Sequence, residues 1–111
     1  MQHNVVELNF DSGSRAMDQS DYETSHSYFI NALLLLPNNH WSSNYEFSLR
    51  LFLLTAKAAY ACGKIEKAYD SLKEILAEGR CFEDKLDAYG SYVSVSASLP
   101  FFNLAATRHI R

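Results

Sequence analysis

Two glycines, Gly63 and Gly79, divide the centre of this chain into segments of helical length. The spacing of these glycines constrains the fold more than any other feature of the sequence. Between them, apolar side chains recur every three or four residues, which is the period of one helix face. These side chains are Ile65, Ala68, Tyr69, Leu72, Ile75 and Leu76. Charged side chains occupy most of the other positions of this segment. An amphipathic helix is therefore predicted over residues 65–78.

The preceding segment, residues 44–62, has the same periodicity, and the short break at Gly63 predicts an antiparallel helical hairpin. Its apolar side chains are Leu49, Phe52, Leu53, Ala56, Ala59 and Tyr60. Because glycine tolerates the left-handed backbone that ends many helices, Gly63 and Gly79 are both predicted helix ends. Ser43 stands three residues before Glu46, a spacing that predicts an N-terminal cap.

Weaker periodicities predict further helices on both sides of this hairpin. A first helix is expected over residues 4–17, with one side formed by Val5, Leu8, Ser12, Ala16 and Met17. A second begins with a cap at Ser20 and stops at Pro37. The loop that follows contains Trp41, which is expected to fold over the hairpins. A fifth helix over residues 83–97 is expected to place one stripe along a single face. The members of that stripe are Leu86, Tyr89, Gly90, Val93 and Ala97.

Composition and charge argue against several classes of protein. With 48% apolar and 14% aromatic residues, the chain can build a core. A net charge of −3 without a basic cluster is poorly suited to the phosphate backbone of nucleic acids. The apolar run over residues 28–36 is shorter than the roughly 20 residues that a membrane crossing needs. The N-terminus resembles no signal peptide, so a cytoplasmic location is predicted.

The spacing of chemically active residues indicates no reaction centre. The histidines and cysteines are His3, His26, His40, His109, Cys62 and Cys81. Structural zinc sites need clustered ligands such as Cys-x-x-Cys, and a nucleophilic cysteine needs a base with a third group to orient it. We therefore predict no catalytic residue, no cofactor and no metal. The two cysteines are interpreted as buried or incidental thiols in a reducing compartment, with a disulfide as the alternative.

An internal repeat relates the two halves of the chain. The first copy comprises Gly13, Tyr22, Ser25, Phe29, Ala32, Leu33 and Pro37, and the second comprises Ala56, Ile65, Ala68, Leu72, Ile75 and Leu76. This order of small and large residues resembles the tetratricopeptide repeat, whose small residues let neighbouring helices approach closely. Two features differ from that family. The copies are offset by 43 residues, as from Gly13 to Ala56, where the family repeat has about 34, and the Trp-x-x-Leu-Gly signature is missing.

A narrower resemblance covers residues 5 to 95 approximately. It rests on Leu36-Pro37, Trp41, Tyr45, Leu49, Ala56, Ala58-Ala59-Tyr60, Gly63 and Ala68. This pattern is similar to the helical-repeat region of large signalling proteins, in which a protein-kinase-like domain and an AAA-type ATPase precede the repeats. GAF and histidine-kinase domains often follow. The resemblance implies that this chain is only the repeat segment, and without a Gly-x-x-x-x-Gly-Lys-Ser/Thr loop no ATP site is carried over.

Together these observations predict an all-α fold over residues 4–97, in which TPR-like antiparallel helical hairpins form a short α-solenoid of about five helices. Residues 98–111 are expected to be a C-terminal tail or a divergent cap. Solenoids generally need three or more repeats. The chain is thus expected either to form a homodimer through an exposed helix face or to fold Phe101, Phe102 and Leu104 back as a cap.

The predicted function is that of a non-catalytic protein-interaction scaffold, with a nucleic-acid-binding helical-repeat module as the alternative. In repeats of this type the first helix of each pair lines a groove. Arg50 and Lys57, seven residues apart, share one side of such a helix, and Tyr60 lies near them. We expect the three to hold an acidic peptide or a C-terminal carboxylate through charge-assisted hydrogen bonds. The competing interpretation is that both cations are ordinary solvated side chains.

Overall fold

The computed structural model describes the backbone of residues 2–97 and the side chains of residues 5–93. Within that part every regular element is an α-helix, which confirms the all-α class. The helices are α1 (Gln2–Asp18), α2 (Tyr22–Leu35), α3 (His40–Ser43), α4 (Tyr45–Ala61), α5 (Ile65–Glu78) and α6 (Phe82–Ala97). Five of the six match the expected helices, and α3 is a short addition in the loop before α4. The expected tail or cap, residues 98–111, lies outside the described residues.

The helices pack largely in chain order. Helices α1 and α2 form one pair, α4 and α5 form a second, α2 rests on α4, and α6 rests on α5. Two buried clusters result: the first contains Val6, Phe29, Ala32, Leu51 and Ala58, and the second contains Ala56, Ala59, Ala68, Leu72, Ile75 and Ala88. Helix α4 contributes to both clusters. It is therefore the central element of the fold.

The predicted apolar stripe of α5 faces the second cluster. Ala68, Leu72 and Ile75 are completely buried, while Ile65 and Leu76 are partly buried beside them. The stripe packs against Ala56 and Ala59 of α4, whose small side chains allow a close approach of the two helices. The prediction that residues 44–78 form a helical hairpin is thus confirmed.

The first helical pair depends on a close contact at Gly13. A Cβ atom on Gly13 would lie 2.6 Å from Cε1 of Phe29, whose side chain is completely buried. The buried Ser25 hydroxyl donates a hydrogen bond of 2.8 Å to the Gly13 carbonyl oxygen. Only a residue without a side chain lets α1 approach Phe29 so closely.

Both predicted glycine helix ends are confirmed, because α4 ends just before Gly63 and α5 ends just before Gly79, but only Gly63 is left-handed. Gly63 has φ +85°, the left-handed conformation expected at the end of α4. Gly79, after α5, is instead extended, with φ −61° and ψ 138°. The prediction of a left-handed Gly79 is therefore wrong. The space around it is restricted, because a Cβ there would lie 2.9 Å from Cγ of Lys85.

Both predicted serine caps are wrong. Ser20 adopts φ 62° and precedes the true N-cap of α2, Asp21, whose carboxylate accepts a 3.3 Å hydrogen bond from the Thr24 amide. Ser43 belongs to α3, and its hydroxyl donates to the Asn39 carbonyl oxygen at 3.1 Å. In both places a neighbouring residue capable of capping stands one position closer to the helix. At α4 this residue is Asn44, which makes no side-chain capping bond.

The Trp41 segment folds over the second pair as expected. The indole Nε1 donates to Oε2 of Glu74 on α5 at 2.9 Å, and the ring stacks on Phe52 at a centroid distance of 5.3 Å. Close by, the hydroxyl of the buried Tyr45 donates to Oδ2 of Asp84 at 2.7 Å and accepts from the Arg80 amide at 2.8 Å. Burial raises the pKa of Tyr45. The start of α4 is thereby fixed to the start of α6.

Helix α6 presents a different face to the protein from the one predicted. Leu86, Tyr89 and Val93 are all exposed, whereas Ala88 is completely buried. On the packed side, the Tyr92 hydroxyl lies 2.9 Å from the Tyr69 hydroxyl of α5. The prediction of a single stripe was correct in its spacing, but it did not identify the face that contacts α5. The side chain of Ala97 lies outside the described residues.

Candidate functional site

The three residues predicted to bind a partner lie along one face of α4. Arg50, Lys57 and Tyr60 are all exposed. Together with Glu46 and Leu53, they follow a spacing of four, three, four and three residues, which keeps them on one line along the helix. The helix therefore presents an acidic, a basic, an apolar, a second basic and an aromatic side chain in that order.

A cleft of about 420 Å³ opens beside the first half of this line, where α1 meets α4. Its lining consists of Phe10, Glu46, Phe47, Leu49, Arg50 and Leu53. Most of these side chains are apolar, with Arg50 and Glu46 as the charged members. Lys57 and Tyr60 do not line the cleft, since they lie one to three turns further along α4. The structure thus separates the predicted residues into one cleft residue and two residues beyond it.

Arg50 is held over the aromatic floor of this cleft. Its guanidinium carbon lies 5.8 Å from the centroid of the Phe10 ring, within the range of a cation–π contact. Phe10 itself packs against Phe47 at a centroid distance of 5.1 Å. This arrangement orients the cation at the edge of an apolar surface. A ligand with an apolar group and an adjacent anion would match both features.

The predicted side of α1 does not include Phe10 and is only partly correct. Ala16 is buried and Met17 packs against the first cluster, but Val5 and Leu8 are exposed. A second pattern, Val6, Phe10, Gly13 and Met17, has spacings of four, three and four residues. That pattern is the packed face, and it could have located the aromatic floor of the cleft.

A second cleft, of about 410 Å³, lies between the end of α2 and the segment around α3. His40 lines it, and its Nδ1 lies 2.7 Å from the hydroxyl oxygen of Ser48. Burial lowers the pKa of His40, while Glu74 and Glu78 act in the opposite direction. The Ser48 hydroxyl is completely buried and donates toward the Asn44 carbonyl oxygen at 2.9 Å. A substrate therefore has no access to Ser48, and the contact serves to hold α3 against α4.

The described residues contain no cluster of three His, Cys, Asp or Glu side chains able to hold a metal ion. Cys62 and Cys81 are free thiols in this part of the chain, with Cys62 partly buried and Cys81 exposed. None of the described helices combines the length and the apolar composition that a membrane crossing requires.

Comparison with protein-family models, curated proteins and solved structures finds no match to this chain. The interpretation of the clefts therefore depends on the residues that line them. The resemblance to tetratricopeptide and signalling-protein repeats stays a prediction.

Proposed function

We propose that this chain is a non-catalytic protein-interaction module, built from TPR-like helical pairs, that binds a peptide in the cleft between α1 and α4. The observation that carries the proposal is the exposed Arg50, held over Phe10 at the edge of an apolar cleft. A cation in that position supplies direction to a ligand that the apolar lining would otherwise bind in any orientation. We also propose that the protein is located in the cytoplasm. From the sequence resemblance, we propose further that it derives from a multidomain signalling protein.

The burial of equivalent residues in both pairs supports the repeat. Four positions of the first copy and the four positions 43 residues later are all buried. The matched buried pairs are Gly13 with Ala56, Ser25 with Ala68, Phe29 with Leu72, and Ala32 with Ile75. In each copy a small residue on the first helix faces a large residue on the second, which is the packing logic of helical-repeat proteins.

The lining of the cleft indicates the chemistry of the ligand. Phe10 and Phe47 would contact an apolar or aromatic side chain of a peptide. Arg50 and Lys57 would bind a carboxylate next to this apolar group of the peptide. The carboxylate would then lie toward the C-terminal half of α4. Glu46 lies at the opposite end of the line and disfavours an acidic group there. The expected ligand is therefore an apolar residue with an acidic group, or a C-terminal carboxylate, on one defined side.

Charge reversal tests this assignment. Peptides selected against the wild-type chain from a random phage-displayed library would be synthesised with a fluorescent label, and dissociation constants measured by fluorescence polarisation. The double variant Arg50→Glu, Lys57→Glu is expected to weaken binding by at least about tenfold, because it removes two attractive charges and adds two repulsive ones.

The matched control is Lys73→Glu, which reverses an exposed lysine on α5, away from the cleft. It should leave affinity within about twofold of wild type. Unchanged affinity in the Arg50 and Lys57 variant would show that both side chains are only solvated charges. Salt-dependent binding of a single-stranded RNA with no selected peptide would favour the nucleic-acid alternative instead.

We further propose that the exposed face of α6 joins two copies of the chain in a homodimer. Phe82, Leu86, Tyr89 and Val93 follow spacings of four, three and four residues and are 43–66% exposed. Two such stripes match each other in an antiparallel arrangement around a two-fold axis. The acidic half of each helix would then face the uncharged half of the other, which avoids repulsion between like charges.

Light scattering tests the homodimer. The wild-type chain is expected at twice its monomer mass of 12.6 kDa. Leu86→Lys should return it to the monomer because a charge would enter the apolar contact. Leu34→Lys, which alters an exposed leucine on α2, should remain dimeric. A monomeric wild-type protein would contradict the homodimer without affecting the peptide site on α4.

A further inference from the structure

A third cleft lies on another side of the molecule, between α2 and α5. Its volume is about 320 Å³, and its lining consists of His26, Ser27, Ile30, Asn31 and Lys67. Four of these five side chains are polar or charged. They share no residue with the α1–α4 cleft. The third cleft therefore requires an explanation separate from the peptide site.

The charge around this cleft is mainly positive. Lys67 is exposed, and no carboxylate within the described part of the chain forms an ion pair with it. Lys64, one turn earlier, contacts Oε1 of Glu23 at 3.6 Å. Glu23 thus neutralises the charge of Lys64. The charge of Lys67 is not neutralised in this way, and Lys67 lines the cleft together with Ser27 and Asn31.

His26 supplies a second, independent observation. The side chain is nearly completely buried, and among the described residues its Nε2 has no hydrogen-bond partner. Burial is the main cause that lowers the pKa of His26 below its ordinary value of 6.5, and Lys64 and Lys67 lower it further. Glu23 acts in the opposite direction. A buried polar group without a partner beside two ammonium groups indicates a site that favours an anion.

We propose that the cleft between α2 and α5 binds a phosphate-class oxyanion. The Lys67 ammonium supplies the charge, and the Ser27 hydroxyl and the Asn31 amide supply uncharged hydrogen-bond donors. The combination suits a tetrahedral anion with several acceptor oxygens better than a single carboxylate. The anion is either free phosphate or the phosphoryl group of a modified peptide, and these share the same chemistry.

The position of His26 couples this site to pH. A bound anion stabilises the imidazolium form, so it raises the pKa of His26. By linkage, protonation of His26 strengthens anion binding, and affinity should rise as the pH falls until His26 is protonated in the anion-free protein as well. Sulfate is the suitable probe for this effect because it keeps its charge across the range, whereas phosphate esters titrate near about pH 6.

Nuclear magnetic resonance titration of the full chain tests the proposal. Sodium phosphate and sodium sulfate would be added at constant ionic strength, with sodium chloride as the reference. Saturable shifts are expected at Ser27, Asn31 and Lys67, together with a rise in the pKa of His26 in sulfate. Lys67→Gln should weaken binding by at least about tenfold. Lys73→Gln, on the same helix but outside the cleft, should bind as wild type does.

The source of the anion is distinguished by comparing a phosphoserine peptide with its unmodified form and with phosphate. Tighter binding of the phosphoserine peptide than of phosphate assigns a peptide ligand, and equal affinities assign free phosphate. Shifts that do not saturate, or an unchanged affinity in Lys67→Gln, would overturn the proposal. The Arg50→Glu, Lys57→Glu variant should still bind sulfate, so failure of the α1–α4 peptide site is separable from failure here.

Discussion

Replacement of Leu72 by alanine is expected to lower the free energy of unfolding by about 2–5 kcal/mol. Leu72 is completely buried in the second cluster, between α4 and α6. The loss combines the removed apolar contact with the remaining cavity. In a chain of this size each kcal/mol lowers the melting temperature by roughly 4–8 °C. Thermal unfolding followed by circular dichroism measures the effect.

Leu34→Ala is the matched control, since it removes the same atoms from a side chain that is 77% exposed. Its effect should stay within about 0.5 kcal/mol. Equal destabilisation by the two substitutions would mean that Leu72 is not a core residue and that the packing of α5 is incorrect.

Gly13→Val is expected to destabilise the protein by about 1–3 kcal/mol. The new Cβ would lie 2.6 Å from Cε1 of Phe29, and that ring is completely buried, so moving it would disturb the packing of the first cluster. Displacement of α1 would also lengthen the hydrogen bond from the Ser25 hydroxyl to the Gly13 carbonyl oxygen. Chemical denaturation with urea gives the change in free energy.

Gly90→Ala, unlike Gly13→Val, is expected to stabilise the protein. A Cβ on Gly90, within α6, meets no atom within 4 Å, so the gain in helix propensity should stabilise the chain by about 0.5–1 kcal/mol.

Phe29→Leu should relieve part of the destabilisation caused by Gly13→Val, because the smaller side chain makes room for the valine. Simple additivity of Gly13→Val and Phe29→Leu would contradict a direct contact between the two positions.

The fold class and the central hairpin were predictable because α4 and α5 carry strong periodic patterns. Leu72 and Ile75 lie where their spacing places them. The exact helix starts were less predictable, since serine, asparagine and aspartate all cap helices. The choice between Ser20 and Asp21 depends on the backbone conformation, which is left-handed at Ser20.

The face of α6 was not predictable for a different reason. Periodicity identifies residues that share a face, but it does not say which face has a partner. The exposed stripe around Leu86 is more apolar than the packed side around Ala88, yet the alanine allows α6 to approach α5 closely.

Part of the candidate site could also be predicted. The common side of Arg50 and Lys57 follows from their separation of seven residues along a helix. The contribution of Phe10 depends on tertiary packing of α1, where polar residues and Gly13 weaken the sequence signal. The third cleft also depends on tertiary packing. His26 and Lys67 line it together, although they lie 41 residues apart in the chain and on two different helices.

The packing of successive helices in chain order has a kinetic consequence. Most of the contacts that hold α1 to α2, and α4 to α5, join segments separated by only a short turn. Little loop-closure entropy opposes their formation, so each pair should assemble rapidly, and the search for the native state should be limited by docking of the two pairs through α2 and α4.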